Sequence, residues 1–245
     1  MELKRYRPED SIETKQGLHW YRTAGSWADK PIEPSPLWDI DGLIIKEEYI
    51  ETCTVDPRKF VGTSHARYNQ GMTWRQFLHG GKRIAKNLAD LEKSALYYDD
   101  PIAVSGDRDT WHVVEIDGLF YASSSNHRGV IAKFRAHEDL ITTQLIHSLR
   151  RYTTNKDAQA QYERLQRAYL PGQSDFGIEK KLIRDDGRTK IYESVVRCDL
   201  RLGSDPITEL SLAVAASEVA CHNRFYRLLH RCLPRLWNML AGHDS

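Results

Sequence analysis

Pro101-Ile102-Ala103-Val104, then Trp111-His112-Val113-Val114-Glu115-Ile116, Asp117-Gly118, Leu119-Phe120-Tyr121-Ala122, Ser123-Ser124-Ser125-Asn126 and His127-Arg128: the stretch from Pro101 to Arg135 decides the fold. It reads strand, turn, strand, tight turn, strand, polar run, helix. Asp117-Gly118 between two apolar runs is a strong hairpin signal, because both central residues of such a turn need positive φ. The helix is expected from about His127 to Ala136, burying Val130, Ile131 and Phe134. A helix start leaves backbone N–H groups unpaired and carries the positive end of the dipole. Ser124, Ser125 and Asn126 add short hydrogen-bonding groups there, and Arg128 adds a planar donor fork suited to phosphate. The junction is therefore expected to hold an anion; an N-cap with two exposed polar residues explains the same pattern.

Working outward, residues 72–97 read as helical, with Thr73-Trp74-Arg75-Gln76-Phe77 opening a first helix and Gly80-Gly81 breaking it. Ile84, Leu88, Leu91 and Ala95 then form one apolar stripe at helical spacing. Leu43-Ile44-Ile45 and Tyr49 to Val55 read as strands ended by Asp56-Pro57. Residues 1–48 are expected to form an irregular arm on the body. Pro8, Pro31, Pro34 and Pro36 argue against helix there, while Trp20, Tyr21 and Trp27 argue for packing. The segment Leu140 to Tyr152 fits either strand or helix. Asn155 is expected to cap a helix through Tyr169, residues 177–200 to form a hairpin about Asp185-Asp186-Gly187, and Pro206 to Cys232 to form a last helix.

Composition narrows the function. The 245 residues carry 35 Lys+Arg against 34 Asp+Glu, a formal net charge of +1, which excludes binding nucleic acid by bulk charge alone. Residues 140–245 hold 16 basic and 12 acidic residues, a local surplus. Arg224, Arg227, Arg231 and Arg235 fall on one stripe of the last helix, readable as a solvated face or as a surface for DNA or an acidic partner. No apolar run is long enough to cross a membrane, and the mean hydropathy is −0.58. The first residues lack the apolar core of a secretory signal, so a cytoplasmic location is expected. The four cysteines, at 53, 198, 221 and 232, are accordingly expected as free thiols. The histidines show no zinc-binding spacing. Asp99, Asp100, Asp107 and Asp109 suit either Mg²⁺ beside a phosphate or plain turn formation. Glu115, mid-strand, is a candidate to reach the phosphate turn.

The Pro101-Ile102-Ala103-Val104 strand after a helix pair, the hairpin, and Ser125-Asn126-His127-Arg128 at a helix start resemble the ParB/sulfiredoxin superfamily. Its members carry a Pro-Ile-x-Val strand and a Gly-x-(His/Arg)-Arg turn. Tyr49 to Phe60 resembles the family's opening strand and loop, so the resemblance covers Tyr49 to Ile146. It implies an α+β fold: a small mixed sheet with helices over residues 49–152, preceded by the arm at 1–48 and followed by a helical and hairpin extension over 153–245. Asn126 stands where sulfiredoxins carry their nucleophilic cysteine. It has no thiolate, so sulfinate reduction is excluded. ParB proteins place glutamate there, after a glycine that Ser125 replaces, and residues 150–245 show no helix-turn-helix. In the order of its elements the chain resembles plasmid fertility-inhibition proteins of the Osa and FiwA type, which block conjugative DNA transfer. That likeness implies ATP or another nucleoside triphosphate, with or without Mg²⁺, bound at Ser124, Ser125, Asn126, His127 and Arg128. It also implies ATPase or DNase chemistry at His127, Arg128 and Glu115, and DNA or the conjugative coupling and type IV secretion machinery as partners. The alternative is a catalytically degenerate module that inhibits that machinery by contact.

Overall fold

The computed structural model describes residues 15–94, 98, 110–168, 176–198 and 209–211. The Pro101–Val104 strand, the four aspartates at 99, 100, 107 and 109, and the Arg224, Arg227, Arg231 and Arg235 stripe lie outside the described residues. The described residues form a mixed α+β protein with five α-helices and nine strands. By contact it divides into two units: Met1–Trp38, Lys46–Thr153 and Asp186–Thr189 make the first, and Asp39–Ile45, Thr154–Asp185 and Lys190–Ser245 the second.

In the first unit, β1 (Glu33–Pro34), β2 (Ile44–Val55), β3 (Phe60–Thr63), β4 (His112–Ile116), β5 (Leu119–Ala122) and β6 (Gln144–Thr154) lie in the order β1-β3-β5-β4-β6-β2. The β4–β5 pair is the antiparallel hairpin turned by Asp117 and Gly118, whose φ values are +49° and +87°. The other recorded pairings, β1 with β3, β3 with β5 and β4 with β6, are parallel. The ambiguous segment after Leu140 is strand: Ile146 and Leu149 face the core, while Ser148 pairs with His112. The two apolar runs before Val55 are one continuous strand, β2.

Three helices cover one face. Thr73 caps α2 (Trp74–Gly80) through a complete capping box with Gln76, and α3 (Ile84–Lys93) follows the glycine break. The helix α4 (Asn126–His137) lies deepest, with Val130, Ile131 and Phe134 buried as expected. Its Lys133 is buried too. The ammonium donates to the carbonyls of Arg58 at 2.8 Å and Phe60 at 2.7 Å, and lies 5.4 and 5.1 Å from the Trp27 and Trp74 ring centres. Burial lowers its pKa to about 8. This grip ties α4 to the start of β3.

The expectation of an irregular, helix-free arm needs correction. Residues Lys15–Thr23 form α1, and short 3-10 turns follow at Ser26–Asp29 and Pro36–Trp38. The prolines stand at 8, 31, 34 and 36, so none interrupts α1. Packing on the body is as expected: Trp20 stacks with Phe134, and Trp27 meets Phe134 edge-on. Arg75 fastens the arm with a forked bond to Asp29 at 2.7 and 3.0 Å and further bonds to the carbonyls of Ala24 and Tyr21. The same guanidinium holds the Asp29 carboxyl below its usual range.

β1 comes close to β3 because Gly62 has no side chain; a Cβ there would stand 2.1 Å from the Glu33 carbonyl oxygen. Gly62→Ala is expected to cost about 2–3 kcal/mol by forcing two backbones apart, measured by chemical denaturation. A variant as stable as the parent contradicts this packing.

In the second unit, Asn155 caps α5 (Lys156–Ala168) by accepting from the Ala158 N–H at 3.0 Å. β7 (Phe176–Asp185) and β8 (Thr189–Cys198) form the expected antiparallel pair, and β9 (Glu209–Ser211) adds to β8, so the helix expected from about Pro206 does not begin there: these three residues pair with a strand instead.

Candidate functional site

β3 and β5 are parallel neighbours, with Thr63 beside Ala122. The loop after β3 and the turn before α4 therefore leave the sheet side by side at the carboxyl ends of the strands, where open sheets commonly bind ligands. Thr63 joins the two. Its hydroxyl lies between the Ala122 carbonyl at 2.9 Å and Asn126 Oδ1, and accepts from the His65 N–H at 3.0 Å.

The sequence-selected residues do gather at the helix start, but their side chains do other work. Ser125 is the N-cap in a left-handed conformation, φ +52°, and makes no side-chain cap bond. Its hydroxyl and that of Ser124 both donate to the Thr110 carbonyl, at 3.0 and 2.8 Å. Asn126 is buried against Thr63. Arg128 is 4 % exposed and engaged within the chain. It is not the solvent-facing fork that its position beside His127 suggested: the side chain is buried, and its charge lies close enough to His147 to help lower that ring's pKa. Glu115 does not reach the turn. It sits opposite Phe120, about 10 Å along β4 from His112, and Arg151 holds it at 2.8 Å.

His127 is half-buried. Its Nε2 lies 3.3 Å from the Tyr68 hydroxyl, and its ring meets Tyr68 and Phe77 edge-on. Burial, then the nearby charges of Arg83, His65 and Arg67, lower its pKa to about 4, so the imidazole is neutral at pH 7. Burial likewise raises the pKa of the Tyr68 phenol. The same charges reveal a feature that sequence reading missed. Arg67 follows β3 and Arg83 precedes α3, both are exposed, and both act on the start of α4 together with His65. Neither guanidinium is paired with a carboxylate among the described residues. Nothing in residue spacing links these positions to His127; only folding brings them together.

On the sheet face opposite the helices lies a cleft of about 610 Å³. Its floor is set by the β4–β6 register. His112 lies beside Ser148 and Val114 beside Arg150, while Val113 and Leu149 point into the core. Ser64 and Asn69 of the β3 loop and Ser123 of the turn before α4 also line it. Among the described residues no group of three or more His, Cys, Asp or Glu side chains is placed to hold a metal. Cys53 is a free, half-buried thiol whose pKa is raised by burial. No described helix is long and apolar enough to cross a membrane. Comparison with protein-family models, with curated proteins and with solved structures finds no match.

Proposed function

We propose that the chain binds the phosphates of a nucleoside triphosphate at the start of α4, and that it is a fertility-inhibition protein of ParB/sulfiredoxin type that blocks conjugative DNA transfer. One observation carries the binding: the exposed Arg67 and Arg83 lie near enough to His127, at the start of a twelve-residue helix, to disfavour its protonation, and no described carboxylate pairs with either. Uncompensated positive charge of that density favours an anion, and a guanidinium grips phosphate through paired donors. In this reading Arg67 and Arg83 hold the phosphate, Asn126 and Thr63 fix the turn, and Arg128 supports it from beneath. The link to conjugation rests on the sequence resemblance.

Calorimetric titration with ATP, CTP and inorganic tripolyphosphate tests the site. The double change Arg67→Ala/Arg83→Ala is expected to weaken binding on the order of 100-fold, since each charge-assisted bond contributes about 1.5–3 kcal/mol. Circular dichroism should be unchanged, because both side chains are exposed. Equal affinity in parent and variant rejects the site. A second reading, ATP hydrolysis and DNA cleavage at the same turn, differs in turnover. The neutral His127 and enclosed Arg128 favour binding without it. Phosphate release by wild type that disappears in the double variant would establish hydrolysis instead.

A further inference from the structure

We infer that the open-face cleft takes the planar base of that nucleotide, an assignment that rests on the phosphate reading for its anchor but on separate residues for its contacts. Trp38 is 91 % exposed and Tyr49 is 39 % exposed, and both line the cleft. An indole left almost wholly in water costs hydration free energy that a flat ring laid against it removes. Tyr152, itself buried and hydrogen-bonded to Arg150, and Leu37 also line the cleft. The polar lining is equally specific. His112 Nδ1 and Ser148 Oγ bond to each other at 2.6 Å, so one imidazole edge is already oriented. Arg150 approaches Glu47 at 3.7 Å with more than half of its side chain exposed, leaving donors for a ring carbonyl or nitrogen.

Continuity with the anion site selects a nucleotide over an aromatic molecule without phosphate. Ser64 and Asn69 in the cleft wall belong to the same loop as His65 and Arg67, and Ser123 belongs to the same turn as Ser125. In this assignment one molecule sets its phosphates near Arg67 and its ring over the sheet, the shared loop joining the two. Small-ligand sites run from about 300 to 1,000 Å³, which includes this volume.

The test compares inorganic tripolyphosphate, ATP, CTP and adenosine by calorimetry and by tryptophan emission. ATP or CTP is expected to bind roughly tenfold tighter than tripolyphosphate, as base–aromatic stacking gives. Trp38→Ala should erase that excess and leave tripolyphosphate affinity unchanged, while Trp38→Phe restores most of it. The emission change on adding nucleotide should vanish in Trp38→Ala. If nucleotides bind no tighter than tripolyphosphate and Trp38→Ala changes nothing, the cleft assignment is overturned and the anion site stands. If tripolyphosphate fails to bind while adenosine and ATP bind and lose affinity in Trp38→Ala, the base site stands and the anion site falls.

Discussion

Phe134→Ala is expected to lower the unfolding free energy by about 3–5 kcal/mol. Phe134 is buried on α4 and joins two parts of the fold. Trp20 of α1 stacks on it at a centroid separation of 6.4 Å, and Trp27 meets it edge-on at 4.8 Å. Truncation removes the ring from both tryptophans at once and leaves a cavity beside them. The consequence is more than lost transfer energy, since the N-terminal segment loses its apolar anchor on α4. What remains is the Trp27–His137 stack and the bonds of Arg75 to Asp29 and to the carbonyls of Ala24 and Tyr21, of which the ion pair is worth little in water. Urea denaturation followed by tryptophan emission gives the stability, and limited proteolysis gives the release of residues before Trp38. A loss below about 1 kcal/mol, or a segment that stays protected, contradicts this account.

Acidification should unfold the protein through two histidines on the same helix. His127 and His137 each have a pKa lowered from 6.5 to about 4, with burial the main cause in both. For His137 the neighbouring charges of Lys133 and Arg58 add to it. A base whose folded pKa is depressed binds its proton more readily in the unfolded chain. The stability its neutral form provides is thus complete above about pH 6.5, falls as the pH drops through the interval, and is gone below about pH 4. Allowing for partial exposure, the two groups together contribute on the order of 3 kcal/mol across that interval. The ring of His137 lies flat on Trp27, 3.8 Å between centroids at 12°, and its Nε2 has no hydrogen-bond partner among the described residues. His137→Phe can keep the stack and remove the proton. Its midpoint of urea unfolding should therefore change less between pH 7 and pH 4 than that of the parent, by about half the total. An identical pH slope in parent and variant would show that other groups govern acid stability.

The local elements were legible because their causes are local. Asp117-Gly118 supplies two positive φ values in succession, Thr73 and Gln76 close a capping box, and Asn155 caps α5. Each is decided within four residues. The alternation of Val113 and Leu149 with His112 and Ser148 follows from the pleat once the strands are known, yet the segment from Leu140 to Tyr152 stayed ambiguous until β6 found β4. Ile141, Leu145 and Leu149 also fit a helical spacing, and hydrogen bonding to a neighbouring strand, a long-range event, settled the matter.

The site divides the same way. From the amino-acid order alone come the hairpin, the polar run, and a helix start expected at about His127, one residue from the observed Asn126, and hence its positive end. What only the tertiary structure decided is which side chains face that end. Arg128 is buried while Arg67 and Arg83 stay exposed near His127, and the parallel pairing of β3 with β5 sets the loop that carries Arg67 beside the turn that opens α4. Backbone preference acts over a few residues, whereas charge and burial depend on neighbours in space, and those neighbours are contributed by segments far apart along the chain.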